Sequence, residues 1–224
     1  TTFFFNTSLL YAPSANNTVT TQHFVGNEVV GGNKEQATHS NLFLWSGYAG
    51  KYFSEIRTNF SLNVNYTSMK GERQQQKVLY PFKASGWAFI PKLNIKFSDA
   101  TSVSYQTMAS NRITEIIRSN DTFRSSMWQI TQQLSAYYLL GKKWQFNGRL
   151  EHSYNEISEN NSVNMFFADV GITFKHAQFE FNLSTNNLFN EKSYSYSIFS
   201  GLDRFDYEYK LRPRMLLLSV SYNY

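Results

Sequence analysis

Ile56-Arg57-Thr58-Asn59-Phe60-Ser61-Leu62-Asn63-Val64-Asn65-Tyr66 is the stretch whose reading decides the fold. Ile56, Phe60, Leu62, Val64 and Tyr66 share one parity, and Arg57, Asn59, Ser61, Asn63 and Asn65 take the other. Side chains of an extended backbone alternate between two faces, so the segment reads as a strand with one apolar and one wet side. The pattern recurs. Trp144, Phe146, Gly148, Leu150 and Tyr154 alternate with Gln145, Asn147, Arg149, Glu151 and Ser153. Phe166, Ala168, Val170, Ile172 and Phe174 stand against Asp169, Thr173 and Lys175. Trp87, Phe89, Leu93, Ile95 and Phe97 stand against Lys92, Asn94 and Lys96, and Leu216, Leu218, Val220, Tyr222 and Tyr224 against Ser219, Ser221 and Asn223.

Alternation alone also fits a soluble sandwich, whose apolar face points into a core. Three features favour a membrane. The polar parity carries mostly Asn, Gln, Ser and Thr, the chemistry of a barrel lumen, where a soluble surface would be richer in Lys and Glu. Aromatic residues gather near strand ends, at Tyr52 and Phe53, Tyr80 and Phe82, Tyr137 and Tyr138, and Tyr194 and Tyr196, where interfacial girdles would place them. The connections also alternate. Short links are expected at 53–55, 98–100, 141–143 and 175–176, and longer polar loops at 71–77, 119–122 and 158–162, the sidedness of an outer-membrane barrel.

Composition agrees. Aromatic residues make up 17% of the 224, yet mean hydropathy is −0.43, which requires apolar side chains interleaved with uncharged polar ones. No apolar run reaches the roughly 18 residues of a helical span, and Phe3-Phe4-Phe5 is too short for a signal-peptide core. Cysteine is absent, which rules out disulfides and thiolate metal sites. The net charge of +5 is scattered, with no basic run of the kind that binds nucleic acid.

Ten strands are expected: Thr2–Asn27, Glu35–Gly50, Ile56–Lys70, Lys77–Phe97, Ser102–Arg118, Phe123–Leu140, Trp144–Ile157, Val163–Phe174, Ala177–Phe199 and Arg204–Tyr224. The fold class is therefore all-β, an antiparallel transmembrane β-barrel. Two parity slips interrupt the pattern. Phe205, Tyr207, Tyr209 and Leu211 are odd-numbered while the apolar face beyond Pro213 is even-numbered, which predicts a bulge near Pro213, since proline cannot donate to a ladder. The preceding strand slips around Asn186-Asn187-Leu188-Phe189-Asn190.

Those slips also carry a resemblance. Asn187-Leu188-Phe189-Asn190 with Tyr194 close behind, then Leu211-Arg212-Pro213-Arg214 leading into a terminal strand that ends at Tyr224, resembles the C-terminus of TonB-dependent outer-membrane receptors. The subtype most like it bears an N-terminal carboxypeptidase-regulatory-like domain. The usual terminal Phe is Tyr224 here, which keeps the aromatic character. The resemblance covers roughly the last 50 residues in motif and the rest in style. It implies a barrel of roughly 22 strands around a plug, with residues 1–224 its C-terminal part and the plug and N-terminal strands absent from this chain. An open ten-strand sheet would leave two hydrogen-bonding edges in lipid, so other strands must cover them. The implied location is the cell outer membrane. The implied partners are outer-membrane lipid, the TonB complex through the missing N-terminal part, the barrel-assembly machinery at the C-terminal strand, and a surface lipoprotein; nucleic acid is not among them.

No catalytic, cofactor or metal residue emerges. His23, His39, His152 and His176 are far apart and lack zinc-site spacing. His152 shares the apolar parity and is expected at the membrane interface. Asp169 and His152 fall on neighbouring strands, but no motif of the barrel proteases or lipases surrounds them, and Asp169 with Arg149 or Lys175 reads as lumen charge. Gly31-Gly32 and Gly71 read as turn glycines without a phosphate-loop pattern. Aromatic and basic residues near Arg204, Tyr207, Tyr209 and Lys210 suit either rim packing or a sugar or anionic ligand. The functional expectation is uptake of a scarce nutrient, a glycan, peptide or metal chelate, driven through TonB. The alternatives are a self-contained ten-strand barrel acting as pore, adhesin or surface enzyme, and a soluble adhesive sandwich.

Overall fold

A computed structural model describes residues 3–25, 28–117, 121–158, 161–200 and 203–222, with the backbone alone at 16–17, 23–25, 28–29, 199–200 and 203–204. The described residues are all-β. Their strands are β1 Phe3–Val25, β2 Glu28–Phe53, β3 Thr58–Gln75, β4 Val78–Lys96, β5 Thr101–Ile117, β6 Thr122–Leu140, β7 Trp144–Ser158, β8 Asn161–His176, β9 Phe179–Asn186, β10 Ser193–Ser200, β11 Asp203–Lys210 and β12 Met215–Tyr222.

Ten of them form one sheet in the order β1-β2-β3-β4-β5-β6-β7-β8-β9-β12, and β10-β11 form a separate two-stranded sheet. Every neighbour in the large sheet is antiparallel. The register puts the apolar parities of successive strands on one face. Tyr66 opposes Trp45 and Trp87, Leu134 opposes Tyr105 and Leu150, and Phe174 opposes Trp144 and Phe181. Few large side chains are buried, and Phe5, Leu9, Trp87, Trp128, Leu150, Phe166 and Leu218 remain exposed to their surroundings. A water-soluble fold would cover such a face.

The last two expected strands each break in two. Ala177–Phe199 divides into β9 and β10, and Arg204–Tyr224 into β11 and β12; both breaks fall at the parity slips. The large sheet therefore resumes with β12 against β9, from Met215↔Asn186 to Tyr222↔Phe179.

The long loop expected at 71–77 is largely strand instead, and of the one expected at 158–162 residues 158, 161 and 162 are strand while 159 and 160 lie outside the described residues. β3 and β4 stay paired to Gln75↔Val78, and Gln76 and Lys77 close the hairpin with φ of 48° and 68°. A two-residue turn with both φ positive matches the twist of the strands it joins, so the ladder persists where a polar loop was expected. Of the expected loop at 119–122, residues 119 and 120 lie outside the described residues. Gly31, Gly32 and Gly71 are strand residues, correcting their reading as turns. Gly71 faces the Phe82 ring, where an added Cβ would sit at 3.2 Å.

β1 and β2 continue well past β3, and their far end bends back: Thr21 and Gln22 of β1 pair in parallel with Gln74 and Gln75 of β3, and Gln76 N–H donates to the Gln22 carbonyl at 3.0 Å. Among the described residues, β1 and β12 are the two edges of the sheet, and no pairing joins them.

Candidate functional site

The polar face is covered at one place by the β10–β11 hairpin. It meets the sheet through β10: Asn155 Nδ2 of β7 donates to the Ser195 carbonyl at 3.1 Å, and Gln129 Nε2 of β6 to the Ser197 carbonyl at 3.0 Å. Gln129 and Asn155 are register partners, so the two amides form a single step under the hairpin. Ser153, Asn155, Met127, Met165 and Ser197 are buried there.

Asn187 and Asn190 make the bend that sends the hairpin off the sheet. Both hold positive φ, 55° and 60°, a conformation asparagine tolerates better than most side chains. Asn187 N–H donates to Asp169 Oδ1 at 2.9 Å, its Nδ2 donates to the Glu191 and Arg212 carbonyls at 2.8 and 3.0 Å, and its Oδ1 accepts Glu191 N–H at 2.9 Å. Asn190 Oδ1 accepts Arg214 N–H at 3.1 Å. Where β9 departs, β8 would be left with unpaired backbone groups. Leu188 N–H takes up the Ala168 carbonyl at 2.8 Å, and Glu191 Oε1 accepts Phe166 N–H at 3.1 Å. Two of the bonds that the lost ladder would have made are thus replaced.

The structure brings together Asn187, Asn190, Arg212, Pro213 and Arg214 at the root of the hairpin, while Leu188 and Phe189 are exposed beside it. Tyr224 lies outside the described residues. The two asparagines are structural: their side-chain amides are spent on the backbone.

Two hollows flank this root on the polar face. One, of about 340 Å³, lies between hairpin and sheet, with Phe167, Tyr194, Leu211 and Pro213 beside Arg149 and Arg212. The other, of about 900 Å³, is wider and polar, with Asn59, Asn94, Asn147 and Arg57 among its walls. Arg149 pairs with Glu151, and Lys175 with Glu180 at 3.0 Å. Tyr196, Tyr207 and Tyr209 stack on the hairpin, with centroids 5.1 to 6.2 Å apart. The Arg204 side chain lies outside the described residues.

His152 is on the apolar face, stacked on Phe166 at 4.5 Å, with Nε2 3.0 Å from Asn164 Oδ1. Asp169 is on the other face, opposite Arg149. A one-residue parity difference therefore separates the two groups by the thickness of the sheet, and they form no acid–base pair. His176 stacks on Phe174, His39 is exposed, and the His23 side chain lies outside the described residues. No cluster of three metal-ligating side chains exists among the described residues.

The hairpin contacts at Gln129 and Asn155 were not legible in the sequence, which carries no local signal for either.

No family model matches the chain, and no curated protein matches it. Among solved structures, the P. putida toluene transporter TodX aligns over 82% of this chain and 63% of its own length, at 9% identity and a TM-score of 0.33. The aligned part is thus less than two thirds of that transporter. Similarity at this level bears on neither the fold nor the activity of the present chain.

Proposed function

We propose that this chain is wall of an outer-membrane β-barrel that takes up a nutrient, and that it forms the C-terminal part of a TonB-dependent receptor. The observation that carries the membrane reading is the spacing of aromatic residues on the apolar face. Trp87 lies mid-way along β4 and Phe97 just past its end, Trp128 and Tyr138 lie on β6, and Trp144 and Tyr154 on β7, each pair about 10 residues apart. At about 3.3 Å per residue and a tilt of roughly 45°, each pair spans about 23 Å along the bilayer normal, close to the roughly 25 Å band of an outer-membrane barrel. The band steps along the sheet as tilted strands require: from Trp128 on β6 to Tyr154, one row nearer the short turns, and then to Phe166 on β8.

The free edges of β1 and β12 support a larger barrel, because unpaired backbone is not tolerated in lipid. Further strands of the same protein would close it. A plug would fill it, and TonB would act through that plug. The polar face, with its hairpin and two hollows, would line the path of a glycan, peptide or metal chelate. Enzymatic activity forms no part of this reading.

The test is the intact mass of the protein extracted from outer membranes, with its N-terminal sequence. A mass several times 26.1 kDa, with a plug at the N-terminus, is the expected result. A mass near 26.1 kDa would replace the receptor by a ten-strand barrel closed by β1 on β12. Recovery in the soluble fraction without detergent would sink the membrane reading altogether.

A further inference from the structure

Beyond the aromatic band, on the same apolar face, the register builds a row of charge. Lys70 on β3 opposes Lys83 on β4, Lys83 opposes Glu115 on β5, and Glu115 opposes Arg124 on β6. Glu115 is shared, 4.0 Å from Lys83 Nζ and 3.7 Å from Arg124 Nε. Three cations thus meet one anion. Two lysines facing each other across a strand pair repel, and a sheet tolerates that placement best when an outside anion lies between them.

The surrounding groups do not neutralise the row. Glu72 lies one row farther out, opposite Pro81, and makes no ion pair among the described residues. Glu156, on β7, is engaged by Trp128 N–H at 2.6 Å and by the Tyr154 hydroxyl at 3.1 Å.

The height of the row is the second observation. Lys70, Lys83 and Arg124 each stand four residues beyond an aromatic residue of the band, Tyr66, Trp87 and Trp128 respectively. That is about 13 Å along the strand, or roughly 9 Å farther from the bilayer centre at the same tilt. Headgroups lie at that level. The row between holds Ser68, Ser85 and Ser126 with Ile113, mostly small side chains that leave a shelf above the rings. The opposite end lacks the overhang: β6 runs only from Tyr138 to Leu140 before it turns. The charged row therefore belongs to the side on which β1–β4 project.

We propose that Lys70, Lys83 and Arg124 form a binding site for the phosphate groups of an anionic lipid in the outer leaflet. The lipid's chains lie against the tryptophan band, and its phosphates lie between Lys70 and Lys83. The occupant is a lipid because the site lies on the same face as the aromatic band, one row of mostly small side chains beyond it. The inference rests on the transmembrane reading of the wall.

The test uses the full protein carrying this chain, in neutral detergent, titrated in native mass spectrometry with diphosphoryl lipid A and with the same lipid stripped of phosphate. Lys70→Gln/Lys83→Gln should weaken binding of the phosphorylated lipid about tenfold or more, the loss of charge-assisted contacts, and leave the dephosphorylated lipid unaffected. Lys142→Gln/Lys143→Gln, at the opposite end, should change neither. Equal binding by the Lys70/Lys83 variant overturns the site, as does displacement of the lipid by an equal concentration of inorganic phosphate, which would make it a free-phosphate site. Quenching of tryptophan fluorescence by bromine-labelled lipid chains separates the two levels. If quenching persists while the site fails, the wall stands without it; if quenching is absent, both readings fall.

Discussion

The side-chain amide of Asn187 donates to the backbone carbonyl of Arg212 at 3.0 Å, tying the end of β9 to the beginning of β12 across the whole β10–β11 hairpin. Two chain segments that leave and re-enter the sheet are held at one point, and the hairpin between them is set by that knot.

Asn187→Ala should therefore destabilise the protein by about 1–3 kcal/mol, through lost side-chain hydrogen bonds and a left-handed backbone that alanine resists. Asn187→Gly, which accepts the backbone but restores no bonds, should fall between. Denaturant midpoints of the three proteins check the order; equal midpoints for Ala and wild type would remove the knot from the account.

Gln129→Ala with Asn155→Ala removes both side-chain bonds that the sheet makes to the β10 carbonyls. Limited proteolysis should then cut the hairpin faster while the ten-strand sheet keeps its circular dichroism. Unchanged cleavage would mean that the root alone holds the hairpin down.

At Gly86 an added Cβ would sit 2.6 Å from the Asn111 backbone carbonyl, whereas at Gly171 its nearest neighbour is the movable Asn147 side chain. Gly86→Ala should cost about 1–3 kcal/mol, because β4 and β5 must part. Gly171→Ala should cost less, since a side chain can turn away. Thermal midpoints that rank the two the other way would show that the sheet yields more readily than its side chains.

Asp99, in the turn between β4 and β5, has its carboxyl held below the usual carboxylate range by the Lys96 hydrogen bond and charge, with Arg57 adding to it. The Lys96–Asp99 contact is 2.8 Å. A carboxyl lowered in the folded state stabilises it above the unfolded value of about 3.9, and that contribution fades as pH falls through the lower folded value. Asp99→Asn should accordingly differ from wild type at neutral pH and converge with it in strong acid. The group is fully exposed, so the difference is small. Parallel stability profiles down to the acid limit would contradict the assignment.

Strand identity was written locally. In Ile56–Tyr66 the two parities assign each side chain to a face whatever it pairs with, because the extended backbone alternates with period two. The same arithmetic located the breaks near Asn187 and Pro213, where the parity changes. It misjudged Gly71 and the 71–77 segment, because a polar residue in a paired hairpin has the same composition as one in a loop.

The sequence by itself determined that the chain is β, where most of its strands lie, and which side chains share a face, since these follow from backbone geometry one residue at a time. Only the tertiary structure decided that β12 returns to β9, that the hairpin rests on Gln129 and Asn155, and that Lys70, Lys83, Glu115 and Arg124 form one row. Those relations depend on register between strands distant in the chain, and register is a property of the pair, set by cross-strand packing and turn geometry together.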